Sequence, residues 1–173
     1  LALNKLLEAQ NLIPQINSSI AFVPFKLLMA EVHLQLNNME KAEETYQNIL
    51  EISKKENHSI GEIQALNGLS KLAFTAKDTP SSLSLSNQSL ELLIQHTDEE
   101  NYDDLVENYL QQSIIFKQKG DFSQAKNYAE RAIAISEERR FVELAIASHI
   151  QLGKVAIELK ENIFLHLHQT TNQ

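Results

Sequence analysis

The sequence predicts an all-α protein, an α-solenoid of antiparallel helix hairpins, and three observations carry that reading. Small and apolar residues recur at helical spacing along nearly the whole chain, and nothing alternates as a half-buried strand would. The chain resembles itself at intervals of about 40 residues, the range that marks repeat architectures. The matching segments are separated by short polar breaks that carry helix-stop and helix-start residues. A length of 173 residues, 43% hydrophobic with 3 Pro and 4 Gly, suits such an array.

The self-similarity is clearest in the segments "NNMEKAEETYQNILEIS" (37–53), "KDTPSSLSLSNQSLELL" (77–93) and "GDFSQAKNYAERAIAIS" (120–136). Each has a polar break, a helix start, and then residues sharing one helical face: Ala42, Tyr46 and Ile49; Ser82, Ser86 and Ser89; Ala125, Ala129 and Ala132. Ala2, Leu6 and Ala9 start the same pattern at the N-terminus, so Ala2, Ala42, Ser82 and Ala125 are spaced by 40, 40 and 43 residues. Small side chains on that face let two helix backbones approach closely. Before each of these helices comes another amphipathic stretch, at 25–36, 63–76, 107–119 and 148–159, with Ala30, Ser70, Ser113 and Gly153 at the corresponding place. A Gly there costs about 1 kcal/mol against Ala, so Gly153 predicts a contact too close for anything larger.

Taken in order, the pattern predicts helices at about 1–13, 20–37, 39–56, 60–76, 80–96, 102–119, 122–138 and 142–160, with a short piece at 162–168. Pro24 predicts a late start or a bend in the second. "SIGE" (59–62) reads as a capping box in which Ser59 takes the amide of Glu62. "TP" at 79–80 reads as a Thr cap before Pro80 at the first helical position. "DFSQ" (121–124) reads as a box started by Asp121, with Gly120 ending the preceding helix. The array divides into a partial repeat 1–18, repeats 19–58, 59–98 and 99–140, and a partial repeat 141–173.

Composition narrows the function. Net charge is −8, with acids gathered in "TDEENYDDLVE" (97–107), whereas nucleic-acid binders present a basic face; no nucleic-acid partner is expected. The uncharged stretch from Asn11 to Phe25 contains Pro14, Gln15, Asn17, Ser18, Ser19 and Pro24, so no membrane span of about 20 apolar residues is expected. The absence of Cys excludes disulfides and thiolate zinc sites and fits a reducing compartment, the cytoplasm. The start lacks a signal-peptide pattern and an initiator Met, as an excised segment or processed product would. No phosphate-binding loop, nucleophile elbow or H-E-x-x-H helix is present, and no enzyme activity or cofactor is expected. His166 and His168 diverge by about 200° on a helix, His33 and His149 fall at packing positions, and no metal site is expected.

Helix pairs with a small residue midway along the first helix, a "GD" type turn and Ala-rich spacing in the second resemble the tetratricopeptide repeat family. Tyr109, Ser113, Phe116, Gly120, Asp121, Phe122, Ala125 and Ala132 carry the resemblance most clearly. Met29, Ala30, His33, Asn38, Met39, Ala42, Tyr46 and Ile49 carry it moderately, and Leu66, Leu69, Ser70, Ala73, Asp78 and Ser82 more loosely. His149, Leu152, Gly153 and Ala156 start a further, incomplete repeat. The interval departs from the family's 34 residues and leaves room for longer helices or longer turns; it resembles the extended variety found in signalling scaffolds and in bacterial regulators and sensor kinases. The resemblance implies a right-handed superhelix lined on its inner surface by the first helix of each pair.

On those first helices the strip one position after the packing residues reads Leu27, Glu31, Leu34; Asn67, Lys71, Phe74; Leu110, Ile114, Lys117; and Ile150, Lys154, Ile157. It is expected to receive an extended peptide or an amphipathic helix, with Phe74, Leu110 and Ile114 as apolar anchors and Asn67, Lys71, Gln111, Lys117 and Lys154 as polar contacts. The alternative for Leu27, Leu34, Ile114 and Ile157 is packing against neighbouring helices. Glu31 and Glu107 occupy the side where the family's clamp for acidic C-terminal peptides places cations, so that activity does not match. The same scaffold also fits a peptide or small-ligand sensor, an oligomerisation arm or, less well, a repeat-based phosphatase. Half-repeats at both ends make self-association of the isolated chain a further expectation.

Overall fold

The computed structural model describes residues 19–96 and 101–170, with side chains as far as 160. Among them a 3-10 turn, Ile20–Phe22, leads into seven helices: α1 Val23–Gln35, α2 Met39–Lys55, α3 Ser59–Thr75, α4 Thr79–Gln95, α5 Tyr102–Gln118, α6 Phe122–Glu138 and α7 Val142–Thr170. No strand occurs among the described residues. The chain divides between His96 and Thr97 into two compact units. In the first, α1 to α4 each pack on the next and α1 also meets α3; in the second, α5, α6 and α7 do the same and α5 also meets α7. The all-α prediction of stacked hairpins holds within each unit. The predicted helix at 1–13 lies outside the described residues.

One turn is used five times. Helices α2 to α6 each have 17 residues, and three-residue turns, 36–38, 56–58, 76–78, 119–121 and 139–141, join successive helices within each unit. Each turn's middle residue is left-handed: Asn37 (φ 59°), Asn57 (54°), Lys77 (63°), Gly120 (79°) and Arg140 (61°). The flanking amides then bond back in the Schellman pattern, as where Asp78 N–H donates to Ala73 O (2.9 Å) and Lys77 N–H to Phe74 O (3.0 Å). The third residue starts the next helix, its carbonyl accepting from the first small residue of the stripe: Ala42 N–H to Asn38 O (3.1 Å), Ser82 N–H to Asp78 O and Ala125 N–H to Asp121 O (both 3.0 Å). The turn therefore sets where each stripe begins.

The caps correct the sequence reading by one residue. Helix α3 is capped by His58, whose Nδ1 accepts from Gly61 N–H (3.1 Å), while Ser59 Oγ lies 3.3 Å from His96 Nε2 and Glu62 pairs with Lys54 at 3.8 Å. Helix α4 is capped by Asp78, accepting from Ser81 N–H (3.1 Å), with Thr79 and Pro80 already inside the helix. Hydrogen bonds from the Ser81 side chain and then its backbone hold the Asp78 carboxyl below its ordinary value of 3.8. Their stabilisation is fully present above that pH and is lost as pH falls through the lowered folded value. Asp121 caps α6 as predicted, accepting from Gln124 N–H (3.0 Å). Two spans also change: α1 starts at Val23, with Pro24 in its first turn, and α7 runs unbroken through 162–168.

The second helix of each hairpin buries one stripe in one register: Ala42, Tyr46, Ile49 and Ser53 in α2; Ser82, Ser86, Ser89 and Leu93 in α4; Ala125, Ala129, Ala132 and Ser136 in α6. Its first member lies 12 residues after the small residue of the first helix, and the two helices cross there. Ser70 Oγ donates to Ser82 O (2.8 Å) and Ser82 Oγ to Ser70 O (2.9 Å); Ser113 Oγ donates to Ala125 O (2.7 Å). Side chains this short reach the opposite main chain only because the backbones nearly touch. Ala30 and Ala42, both fully buried, hold the equivalent places in the first hairpin. Gly68 gives a second close approach, since a Cβ on it would run into the Tyr46 ring.

Two outcomes follow for chemical denaturation. Gly68→Ala is expected to destabilise the chain by about 1–3 kcal/mol, because the buried Tyr46 ring must move. Lys77→Gly and Arg140→Gly are each expected to stabilise it by about 0.5–1 kcal/mol by relieving a left-handed conformation that costs a residue bearing a Cβ; unfolding midpoints that fall would count against the turn geometry.

Candidate functional site

The first helices are enclosed on most sides, and this decides which residues face outward. In α5, Leu105, Val106, Asn108, Tyr109, Gln111, Gln112, Ser113 and Ile115 are buried, leaving Glu107, Leu110, Ile114 and Lys117 half-exposed along one strip. In α3 every residue from Ala65 to Ser70 is buried, and the matching strip opens only at Lys71, exposed, and Phe74, half-exposed. The partial burial of Phe74, Leu110 and Ile114 keeps apolar atoms within reach of a partner.

The predicted polar contacts separate into two groups. Lys71 and Lys154 are exposed, and Lys117 is half-exposed. Lys117 Nζ already faces Glu158 of α7 at 3.5 Å, tying neighbouring first helices together. Asn67 and Gln111 are buried, 7% and 9% exposed. Gln111 Nε2 has no hydrogen-bond partner among the described residues. In the first unit Leu27 and Leu34 pack against the core of Val23, Ala30, Ala42, Tyr46, Ile49, Ala65, Leu69 and Leu72, so there the packing alternative applies.

Two features escaped the sequence. Gln151, 5% exposed, donates from Nε2 to Ser113 Oγ (3.1 Å), which itself donates to Ala125 O, so one hydroxyl links α7, α5 and α6. The signal was present: Gln111 and Gln151 stand 40 residues apart. In the first unit a cavity of about 460 Å³ opens between α2, α3 and α4, lined by Met39, Leu69, Leu72 and Leu85 with Glu43 and Asp78. Its α3 residues lie on the side of that helix roughly opposite Lys71 and Phe74.

Helix α7 corrects two expectations. A Cβ on Gly153 would meet nothing within 4 Å, so no close contact accounts for this glycine among the described residues. His149, placed at a packing position by the sequence, is exposed with its Nε2 2.9 Å from Glu137 Oε1. Both residues lie on the face that a following helix covers in α3 and α5. His33 is buried, and the side chains of His166 and His168 lie outside the described residues. Among those residues no group of three or more His, Asp or Glu is placed to hold a metal, and no helix is long and apolar enough to cross a membrane.

Comparison with known proteins fits this geometry. A crystal structure of BtubC (BKLC) from P. vanneervenii superposes with a TM-score of 0.64 at 15% identity, over 96% of this chain and 75% of that one, a likeness of fold. No curated protein matches in sequence. Family profiles described as tetratricopeptide repeat match residues 25–95 and again 106–139. With its close-crossing hairpins and the strips they leave open, the chain belongs to the tetratricopeptide repeat family and is a protein–protein interaction scaffold.

Proposed function

We propose that the open strips of the first helices capture a peptide segment of a partner protein, extended or as an amphipathic helix. In the first unit the contact is Lys71 and Phe74, with Asn67 beneath. In the second it is Leu110 and Ile114, with Lys117 and Lys154 as cations and Gln111 beneath. The observation that carries this reading is the state of α5: a helix with eight buried residues holds Leu110 and Ile114 half-exposed on its remaining side. Apolar atoms kept at a surface between charged neighbours suit a groove that buries a partner's apolar side chains and orients it with a few polar contacts. Lys154 makes no polar contact among the described residues and is ready to meet a partner's carboxylate.

Peptides selected from a random display library on the 173-residue chain provide the probe. Lys71→Ala with Phe74→Ala, and separately Leu110→Ala with Ile114→Ala, are each expected to weaken capture by about tenfold or more, with far-ultraviolet circular dichroism unchanged. Selected peptides that bind both double variants as tightly as the parent chain would reject the assignment.

A further inference from the structure

We propose that the outward face of α7 pairs with itself: two copies of this chain join by packing α7 against α7, antiparallel, about a two-fold axis level with residues 151 and 152. Among the described residues the face is apolar and uncovered. Val142, Ile146, Ile150 and Ile157 are 67%, 56%, 54% and 61% exposed. Ile146, Ile150, Gly153 and Ile157 share one side of the helix, opposite the buried Ser148, Gln151 and Val155. The solvent-facing side of a helix in a soluble protein is ordinarily polar, and α7 presents isoleucines.

The rest of the molecule shows what covers such a face. The residues equivalent to Ile146 are Ile63 and Val106, and those equivalent to Gly153 are Ser70 and Ser113; all four are fully buried under α4 or α6, which approach across small residues. Among the described residues nothing supplies that cover to α7 in the same register. Helices α2 to α6 stop after 17 residues and turn, whereas α7 continues for 29, passing straight through the level where the turn would bring the next helix back.

The spacing of the stripe is self-complementary. Steps of four, three and four residues read the same in both directions, so an antiparallel copy sets Ile146 against Ile157 and Ile150 against Gly153. Each Ile150 then fills the space that a Cβ on Gly153 finds empty. The exposed charges agree: antiparallel pairing brings Glu143 of one copy level with Lys160 of the other. Parallel pairing would set like charges level and oppose glycine to glycine. The strip residues Ile150 and Ile157 are thereby used in pairing.

Sedimentation velocity of the 173-residue chain over a concentration series is expected to show a monomer–dimer equilibrium. Gly153→Phe, whose Cβ meets nothing within 4 Å, is expected to weaken dimerisation at least about tenfold while leaving thermal unfolding cooperative. Ile146→Lys is expected to do the same by placing an unpaired charge against Ile157 of the other copy and removing apolar contact. Because the chain contains no Cys, Glu143→Cys offers a single spin-label site, and antiparallel pairing places the two labels about 26 Å apart along the helix axis. A chain that stays monomeric overturns the proposal and leaves the face to a helix of another protein. A dimer unaffected by both substitutions, or labels lying side by side, overturns it equally.

Discussion

The structure depends on one close crossing, repeated in each hairpin, where the backbones of two helices come near enough for a serine on one to bond the main chain of the other. The Ser70–Ser82 exchange and the Ser113–Ala125 bond record that distance directly. Large side chains at these places would hold the helices apart and leave their flanks unpacked. The alanine stripe at 125, 129 and 132 and its serine counterpart at 82, 86 and 89 are therefore a condition for the stack, and the larger Tyr46, Ile49 and Leu93 fill the space on either side. The serines meet another constraint, since a hydroxyl buried at the crossing must find a partner, and for Ser82 and Ser113 the facing main chain provides one.

The common turn turns this local contact into a repeat. Three residues with a left-handed middle satisfy the last carbonyls of one helix and start the next at a fixed place, so each stripe begins at the residue whose amide bonds the cap. Seventeen-residue helices then place the long interval in the helices and not in the turns. Within each unit, packing a first helix against its own partner and its neighbouring first helix leaves it one open strip.

Much of this was legible in the sequence, because spacing alone places small residues on one face. The caps of α3 and α4 lie one residue before the predicted ones because the left-handed place in the turn is not reserved for glycine: Asn37, Asn57, Lys77 and Arg140 fill four of the five places. The burial of Asn67 and Gln111 depends on packing between helices, which no pattern within a single helix reports. Gly153 and His149 failed for the converse reason: their helix has the pattern of its counterparts, but among the described residues no helix covers them. The length of α7 was hidden because nothing in residues 159–161 contradicts a helix, and only the missing turn residues hinted that it would run on.

Equilibrium urea unfolding of Ser113→Ala beside Ser113→Leu tests the close crossing most directly. The account predicts that alanine costs about 1 kcal/mol, the worth of the lost hydrogen bonds. It predicts that leucine costs about 3 kcal/mol or more, because a long side chain forces apart backbones that nearly touch. A leucine variant as stable as the alanine variant would show that the helices do not need to lie so close, and would contradict the account.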